Sequence, residues 1–216
     1  MNMEEVRHPL FARFFHRFAA LMERELGEYR DELLAGLSGR VLEIGAGNGM
    51  NFRHYPASVD EVVALEPEAY LRSKAEEAAR AAPVQVGVRP GVADALPLED
   101  ASVDAVVASL VLCSVPDPPA ALAEFARVLK PGGELRFLEH VRSERPRMAR
   151  VQGVFDRTGL WPRMIGGCHC ARDTAGAIRA AGFEIERMRE FGIGPSCGLT
   201  YPHVLGSARP GLPSPA

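Results

Sequence analysis

The sequence has few cysteines and no long hydrophobic run, and we expect no secretory signal. Its four cysteines, at positions 113, 168, 170 and 197, lack the spacing of a disulfide framework. No apolar run approaches the roughly 18–20 residues that a membrane-spanning helix needs. The N-terminus is charged and does not carry the apolar segment of a signal peptide. We therefore predict a cytoplasmic protein with reduced cysteines and without a transmembrane segment.

The chain also lacks a large excess of charge of either sign. Its formal net charge is −3, whereas binding to DNA or RNA requires a basic surface. We therefore expect no nucleic-acid partner. A hydrophobic content of 47% and a length of 216 residues are typical of one globular α/β domain. Composition predicts no particular oligomeric state.

Strand and helix patterns alternate through most of the chain. Apolar, β-branched runs predict strands at 40–44, 61–65, 84–88, 103–110 and 134–138, with two more near 183–190 and 201–207. Helical patterns lie between them, at 68–82, 119–129 and 172–181, and residues 142–170 form an insertion. This alternation implies a mostly parallel sheet with helices on both faces. We assign this domain to residues 37–208 and predict a disordered tail over 209–216.

Residues 1–36 are predicted to contain one amphipathic helix, over 8–35. Its apolar side carries four phenylalanines at three- and four-residue spacing, Phe11, Phe14, Phe15 and Phe18. We expect this side to pack on the domain. The alternatives are a lid over the substrate or a peripheral contact with a membrane surface.

The most informative motif is the strand-to-loop segment 41–49. A short apolar run contains Glu43 and passes into three glycines at alternate positions, Gly45, Gly47 and Gly49. Because glycine has no Cβ, the backbone can turn sharply and a ligand can approach it closely. The dinucleotide fingerprint has a glycine where Met50 stands here, and Glu43 suits a cationic group better than a pyrophosphate. We predict that this loop binds a nucleotide-like ligand with a cationic part, through Glu43, Gly45, Ala46, Gly47, Asn48 and Gly49.

Polar residues also follow the other predicted strands. Ligands of parallel sheets bind beyond the carboxyl ends of the strands. Glu66 ends the second strand, 23 residues after Glu43, which is about the distance at which an acid accepts hydrogen bonds from a ribose. Asp94 follows the third strand and could accept a hydrogen bond from the amino group of adenine, next to backbone N–H groups. The predicted set of ligand-binding residues is completed by Pro67, Ala95, Leu96, Ser109, Leu110 and Cys113.

Over residues 37–205 these motifs resemble those of the class I S-adenosylmethionine-dependent methyltransferases. The segments 94–98 and 130–133 are similar to later motifs of that family. More narrowly, segments 51–56 and 137–141, and Phe155-Asp156 before a tryptophan and a Gly-Gly-Cys, resemble the branch that includes microsomal thiol S-methyltransferases. The resemblance implies S-adenosyl-L-methionine as cofactor and a Rossmann-like, mostly parallel seven-stranded sheet with an antiparallel last strand. This chain departs from the branch in Ala46 and Asn48, where cysteine and threonine are usual. We also expect it to lack the N-terminal membrane anchor that the branch carries.

In this family the methyl group moves by in-line displacement to an acceptor. We predict a small, apolar acceptor, which is a thiol, a phenol or quinol, or a lipid-like amine. His140 is the candidate general base because it follows strand five at the ligand-binding edge, and its alternative is a purely structural role. The predicted acceptor pocket consists of Phe15, Trp161, Cys168 and His169. No metal is expected, because the Cys-His-Cys segment has no second pair of ligands.

Two other functions are compatible with the fold. An NAD(P)-dependent oxidoreductase is disfavoured by Met50 and by Glu43. A non-catalytic, cofactor-binding partner of another enzyme is the second alternative.

Overall fold

The computed structural model describes residues 9–193 and 201–211. Cys197, predicted to be reduced, lies outside these residues, and the other three cysteines are free thiols. Seven strands form one sheet, in the order β3-β2-β1-β4-β5-β7-β6. They are β1 (Gly39–Ile44), β2 (Val59–Leu65), β3 (Gln85–Arg89), β4 (Val103–Ser109), β5 (Leu129–His140), β6 (Phe183–Ile193) and β7 (Tyr201–Pro210).

The pairing of the strands confirms the predicted fold class. Strands β1 to β5 pair in parallel, and β7 runs antiparallel to both of its neighbours, β5 and β6. The strand order changes direction at β1, which lies between β2 and β4 although β4 comes much later in the chain. Such a switch point creates a crevice at the carboxyl ends of the strands.

Helices cover both faces of the sheet. They are α1 (Pro9–Leu34), α2 (Ala69–Ala79), α3 (Pro118–Val128), α4 (Pro146–Arg157), α5 (Leu160–Met164) and α6 (Thr174–Ala180). Alternate residues of each strand enter different cores, because side chains alternate across a sheet. Val41 packs with residues of α1 and α2, whereas Leu42 packs with residues of α3 and α6.

The bounds of two strands differ from the predicted ones in ways that bear on the assignments above. Strand β5 begins at Leu129 and continues to His140, with an irregular step in its pairing with β4. His140 is therefore the last residue of the strand and does not lie beyond it. Strand β7 extends to Pro210, so residues 209 and 210 belong to the sheet and not to the tail.

Helix α1 has a packed half and a partly exposed half. Leu26, Leu33 and Leu34 near its C-terminus are buried in the core. Phe14 and Phe18 lie with their rings 4.4 Å apart and are 56% and 42% exposed. The prediction that the phenylalanine side packs on the domain is wrong for these two residues, and a lid or membrane role stays a prediction. Within the described residues, no helix is both long and apolar enough to span a bilayer.

Candidate active site

The crevice at the switch point lies between two loops. Strands β1 and β4 are adjacent, and Ile44 pairs with Ala108 near their carboxyl ends. The glycine loop, residues 45–49, follows β1, and the β4 loop, residues 110–113, follows β4. The sheet therefore brings these two predicted ligand-binding segments together.

The glycine loop needs glycine because its backbone has positive φ values and because the β4 loop packs closely against it. Gly45, Gly47 and Gly49 have φ values of +60°, +58° and +79°, which side chains strongly disfavour. A Cβ on Gly45 would lie 2.6 Å from Cγ2 of Val111 in the β4 loop. The two loops thus approach each other only because residue 45 lacks a side chain.

Replacing Gly45 by alanine is therefore expected to disrupt the site. The substitution adds both a disfavoured φ, which costs about 1 kcal/mol or more, and a contact that forces Val111 to move. We expect a clear loss of affinity for S-adenosylmethionine, measured by calorimetry, together with a lower unfolding temperature. The matched control is Gly153→Ala in α4, where a Cβ would meet nothing within 4 Å. Equal behaviour of the two variants would contradict the proposed fit of the loops.

Glu66 lies at the end of β2 and contacts the glycine loop directly. Its Oε2 accepts a hydrogen bond of 2.8 Å from the N–H of Gly47, and its Oε1 accepts one of 2.8 Å from the N–H of Glu68. The residue is 5% exposed. Burial raises the pKa of its carboxyl to about 7, against the lowering effect of these two N–H donors. A buried carboxylate with its remaining lone pairs at a strand end can accept further hydrogen bonds from a ligand.

Glu43 lies behind the glycine loop, among residues of the protein. It is buried, and its two oxygens accept hydrogen bonds from Nδ2 of Asn51 at 3.0 Å and from the hydroxyl of Tyr55 at 2.7 Å. Arg30 of α1 donates to the side chain of Asn51 from the same side. Burial raises the pKa of Glu43 to about 7. These contacts give Glu43 a supporting role for the loop, and its contact with a cofactor stays a prediction.

Glu139 in β5 holds the β4 loop and was missed in the sequence. Its carboxylate accepts hydrogen bonds from three consecutive backbone N–H groups, those of Val111 at 3.0 Å, Leu112 at 2.9 Å and Cys113 at 3.0 Å. The turn begins at Leu110, which has a φ of +61°. Burial raises the pKa of Glu139, and the three N–H donors oppose this shift. The available signal was an acid at the end of a strongly apolar strand, where a buried charge needs dedicated partners.

The carbonyl groups of the same segment are bound from the other side. The guanidinium of Arg172 donates to the carbonyl oxygens of Leu112 and Val115, at 2.6 and 2.7 Å. The N–H of His169 donates to the carbonyl of Cys113 at 2.8 Å. The β4 loop is thus fixed by residues from β5 and from the segment before α6.

His140 lies beside two buried thiols. Its Nδ1 is 3.4 Å from Sγ of Cys168, and Cys168 in turn contacts the thiol of Cys113. Burial lowers the pKa of His140, which favours the neutral form of its imidazole. Its Nε2 is buried and has no hydrogen-bond partner within residues 9–193 and 201–211. The contact with Cys168 and burial both raise the pKa of the Cys113 thiol, which therefore stays protonated.

Aromatic rings continue from His140 towards the insertion. The ring centre of Tyr201 is 6.0 Å from that of His140 and 6.2 Å from that of Trp161. His203 pairs with His140 across β5 and β7, with ring centres 5.2 Å apart. Burial, together with the neighbouring His140, lowers the pKa of His203 to about 4. Tyr201 and His203 come from the antiparallel strand and were not predicted.

Asp156 of α4 organises the predicted acceptor segment. It accepts hydrogen bonds from the N–H groups of Cys170 and Ala171, at 3.0 and 2.8 Å, and from the Cys170 thiol. Burial and this carboxylate raise the pKa of Cys170 to about 12. No cluster of three or more His, Cys, Asp or Glu side chains able to hold a metal occurs in the described part of the chain.

The other predicted residues are distributed around the crevice. Phe15 of α1 reaches the glycine loop, 3.5 Å from where a Cβ of Gly47 would lie. It therefore lies next to the glycine loop, whereas Trp161, Cys168 and His169 lie on the side of His140 and Cys113. Leu96 differs from the prediction, since its side chain is in the core and its N–H donates to Glu124 at 2.8 Å. That N–H is not free for a ligand.

Comparisons with known proteins agree with this arrangement. A family profile described as a methyltransferase domain matches residues 42–137. Thiol S-methyltransferase TMT1A of Homo sapiens is 32% identical over 211 residues, which cover 92% of this chain and 85% of that protein. Thiol S-methyltransferase TMT1B of Homo sapiens is 39% identical over 184 residues, covering 81% and 73%. In fold, the chain is similar to a solved S-adenosylmethionine-dependent methyltransferase of Methanosarcina mazei, with a TM-score of 0.64, 20% identity and coverage of 84% of this chain and 97% of that one.

Proposed function

We propose that this chain methylates a small apolar thiol. The chain belongs to the class I S-adenosylmethionine-dependent methyltransferases and is close to the thiol S-methyltransferases TMT1A and TMT1B. Membership of this family argues against both alternatives, an NAD(P)-dependent oxidoreductase and a non-catalytic partner protein. The observation that carries the proposal is the buried His140, whose Nε2 has no partner among the described residues and fits an acceptor that must lose a proton. Among such acceptors, the names of the relatives favour a thiol.

The residues at the strand ends fit S-adenosylmethionine. Oδ1 of Asn48 and Oγ of Ser109 are buried and have no hydrogen-bond partner within the ranges that the structure describes. Buried polar atoms of this kind need a ligand or a water molecule. In our proposal they bind the cofactor, Glu66 accepts from the ribose hydroxyls, and Asp94 with Ala95 contacts the adenine. Once bound, the cofactor supplies a methyl group that is activated by its positively charged sulfur.

His140 supplies the step that a thiol acceptor needs. The thiolate, and not the thiol, is the effective nucleophile, so a proton must leave the acceptor before or during attack. A neutral imidazole can accept that proton on Nε2 when its Nδ1–H donates to Sγ of Cys168. The thiols of Cys113 and Cys170 do not compete with the acceptor, because their raised pKa values keep them protonated.

A methyl-transfer screen tests the acceptor class. Purified protein and S-adenosylmethionine with a labelled methyl group are incubated in parallel with an alkanethiol, a phenol, a quinol and a long-chain amine. We expect label on the thiol, with product formation that requires intact His140. Transfer to the phenol, the quinol or the amine in preference to the thiol would overturn the proposal.

Replacing His140 by asparagine is expected to lower kcat/KM for a thiol by about 100-fold or more at pH 7, since positioned general bases contribute about 10²–10⁴. Asparagine keeps a polar group near Cys168 but removes the base. The loss should shrink as the pH rises towards the pKa of the acceptor thiol itself, because there the thiol ionises without a base. The readout is therefore the pH profile of kcat/KM, with cofactor affinity as the test for correct folding.

The matched control is His203→Asn. His203 is also buried, but its Nδ1 is occupied by the carbonyl oxygen of Tyr201 at 2.8 Å. This variant should keep the shape of the wild-type pH profile even if its overall activity falls. A parallel loss at every pH in the His140 variant would mean that His140 is a structural residue.

A further inference from the structure

Two buried nitrogen atoms near the proposed acceptor site have no hydrogen-bond partner in the described parts of the chain. Besides Nε2 of His140, Nε1 of Trp161 is buried and makes no hydrogen bond within residues 9–193 and 201–211. The two differ in what they can do, because a neutral imidazole nitrogen can accept a proton whereas the indole Nε1–H can only donate. A buried donor without an acceptor is costly and calls for an explanation.

The ring of Tyr201 is a neighbour of both rings that carry these nitrogens. Its centre lies 6.0 Å from that of His140, edge-on, and 6.2 Å from that of Trp161, in an offset stack. The rings of His140 and Trp161 are therefore both neighbours of the Tyr201 ring. Phe155, with its ring centre 6.1 Å from that of Trp161, extends the apolar surface.

We propose that the acceptor is a thiol that also carries a neutral oxygen, and that this oxygen accepts a hydrogen bond from Nε1–H of Trp161 while the sulfur faces Nε2 of His140. This inference rests on the proposed thiol methylation. The oxygen belongs to an ether, a carbonyl or a hydroxyl group. A charged carboxylate is disfavoured because the aromatic surroundings would not repay its loss of hydration.

The two nitrogens would then have separate roles. His140 acts on the reacting sulfur, whereas Trp161 selects the substrate by recognising a second atom. A site built to hydrogen-bond a substrate discriminates against analogues that lack the corresponding atom, because the buried group of the protein is then left unpaired. Trp161 is thus a specificity-determining residue and not a base.

The test uses an isosteric series of thiols. One methylene of hexanethiol is replaced by an ether oxygen at successive positions, which varies the distance between oxygen and sulfur with little change in shape. For the best ether thiol we expect kcat/KM about 2- to 10-fold above that of hexanethiol, the range that one hydrogen bond supplies. In Trp161→Phe, which keeps an aromatic ring but has no N–H, this preference should disappear or reverse. Phe155→Leu is the control and should retain it.

A binding measurement without the cofactor makes the test independent of turnover. Trp161 is the single tryptophan of the chain, so tryptophan emission, excited selectively over that of the tyrosines, reports on this site alone. The best ether thiol should shift the emission to longer wavelength, as hydrogen bonding of the indole N–H does, and hexanethiol should not. This arm uses the wild-type protein and remains valid if the Trp161 variant does not fold.

The outcomes separate the two proposals. Methylation of all thiols at equal rates, or an unchanged preference in Trp161→Phe, would overturn the role of Trp161 and leave thiol methylation standing. Methylation of no thiol in the series, while another acceptor class is methylated, would overturn the proposed function itself. An oxygen preference that depends on Trp161, together with the fluorescence shift, would support both.

Discussion

Replacing Glu66 by alanine is expected to weaken the binding of S-adenosylmethionine by about 100-fold or more. In our proposal the carboxylate accepts hydrogen bonds from two ribose hydroxyls, and a hydrogen bond to a charged group contributes about 1.5–3 kcal/mol. The same carboxylate fixes the N–H of Gly47, so its loss also loosens the glycine loop. Calorimetric titration with S-adenosylmethionine and with its demethylated product measures the effect directly.

The neighbouring Glu68 provides a matched control. Glu68 caps the first turn of α2 by accepting from the N–H of Leu71 at 2.8 Å, so Glu68→Ala should cost about 0.5–2 kcal/mol of stability. It should change cofactor affinity by less than about threefold, because only the helix start is affected. Equal losses of affinity in the Glu66 and Glu68 variants would mean that Glu66 has no specific role in binding.

The pH dependence of cofactor binding gives a second readout of Glu66. Its pKa of about 7 in the free protein is raised above the usual value, first of all by burial. The ionised form is the better acceptor for hydroxyl donors, so the cofactor binds preferentially to the deprotonated protein. Affinity should therefore rise between about pH 6 and 8 and fall as the pH drops below 7. In Glu66→Gln, which cannot titrate, this dependence should flatten.

Local sequence patterns were sufficient to predict where the glycine loop and Glu66 lie, at the ends of two adjacent strands. The glycine loop is defined by residues 45–49, and the contact of Glu66 with Gly47 follows from two adjacent parallel strands. The strand order follows the βαβ rules and places both at the switch point. These features depend on backbone geometry that glycine and buried strands impose wherever they occur.

Contacts that depend on side-chain packing between distant segments were not accessible to the same reasoning. Glu139 binds N–H groups 26 to 28 residues before it. Its position at the end of an apolar strand indicates burial but does not show which groups it binds. Tyr201 reaches His140 only because β7 inserts antiparallel between β5 and β6, which pairs His140 with His203. The bounds of β5 were too short for a related reason, since the segment 130–133 contains a proline and two glycines but continues the strand as an irregular step.

Replacing Glu139 by alanine is expected to produce the largest loss of stability among these variants. It leaves three backbone N–H groups buried without an acceptor, and each unsatisfied group costs about 1–3 kcal/mol. We expect the free energy of unfolding in urea to fall by about 3–5 kcal/mol, which is typical when one partner of a buried polar network is removed. The free energy of unfolding of Glu139→Gln should lie between those of the alanine variant and the wild type. Its one carbonyl oxygen can still accept hydrogen bonds, whereas its amide group faces an N–H donor.

The control for this prediction is Glu61→Ala. Glu61 forms an ion pair of 3.1 Å with Arg40 at a partly exposed position of β2, and such pairs contribute about 0–1 kcal/mol. The reactivity of the Cys113 thiol is a second readout, which reports on the β4 loop alone. The N–H of Cys113 donates to Glu139, and Cys113 is buried in the wild-type protein. In Glu139→Ala the β4 loop should open and the Cys113 thiol should react with an alkylating reagent, as located by peptide mass spectrometry under native conditions. If Cys113 stays protected and stability falls no more than in the Glu61 variant, the β4 loop is held by Arg172 and His169 and not by Glu139.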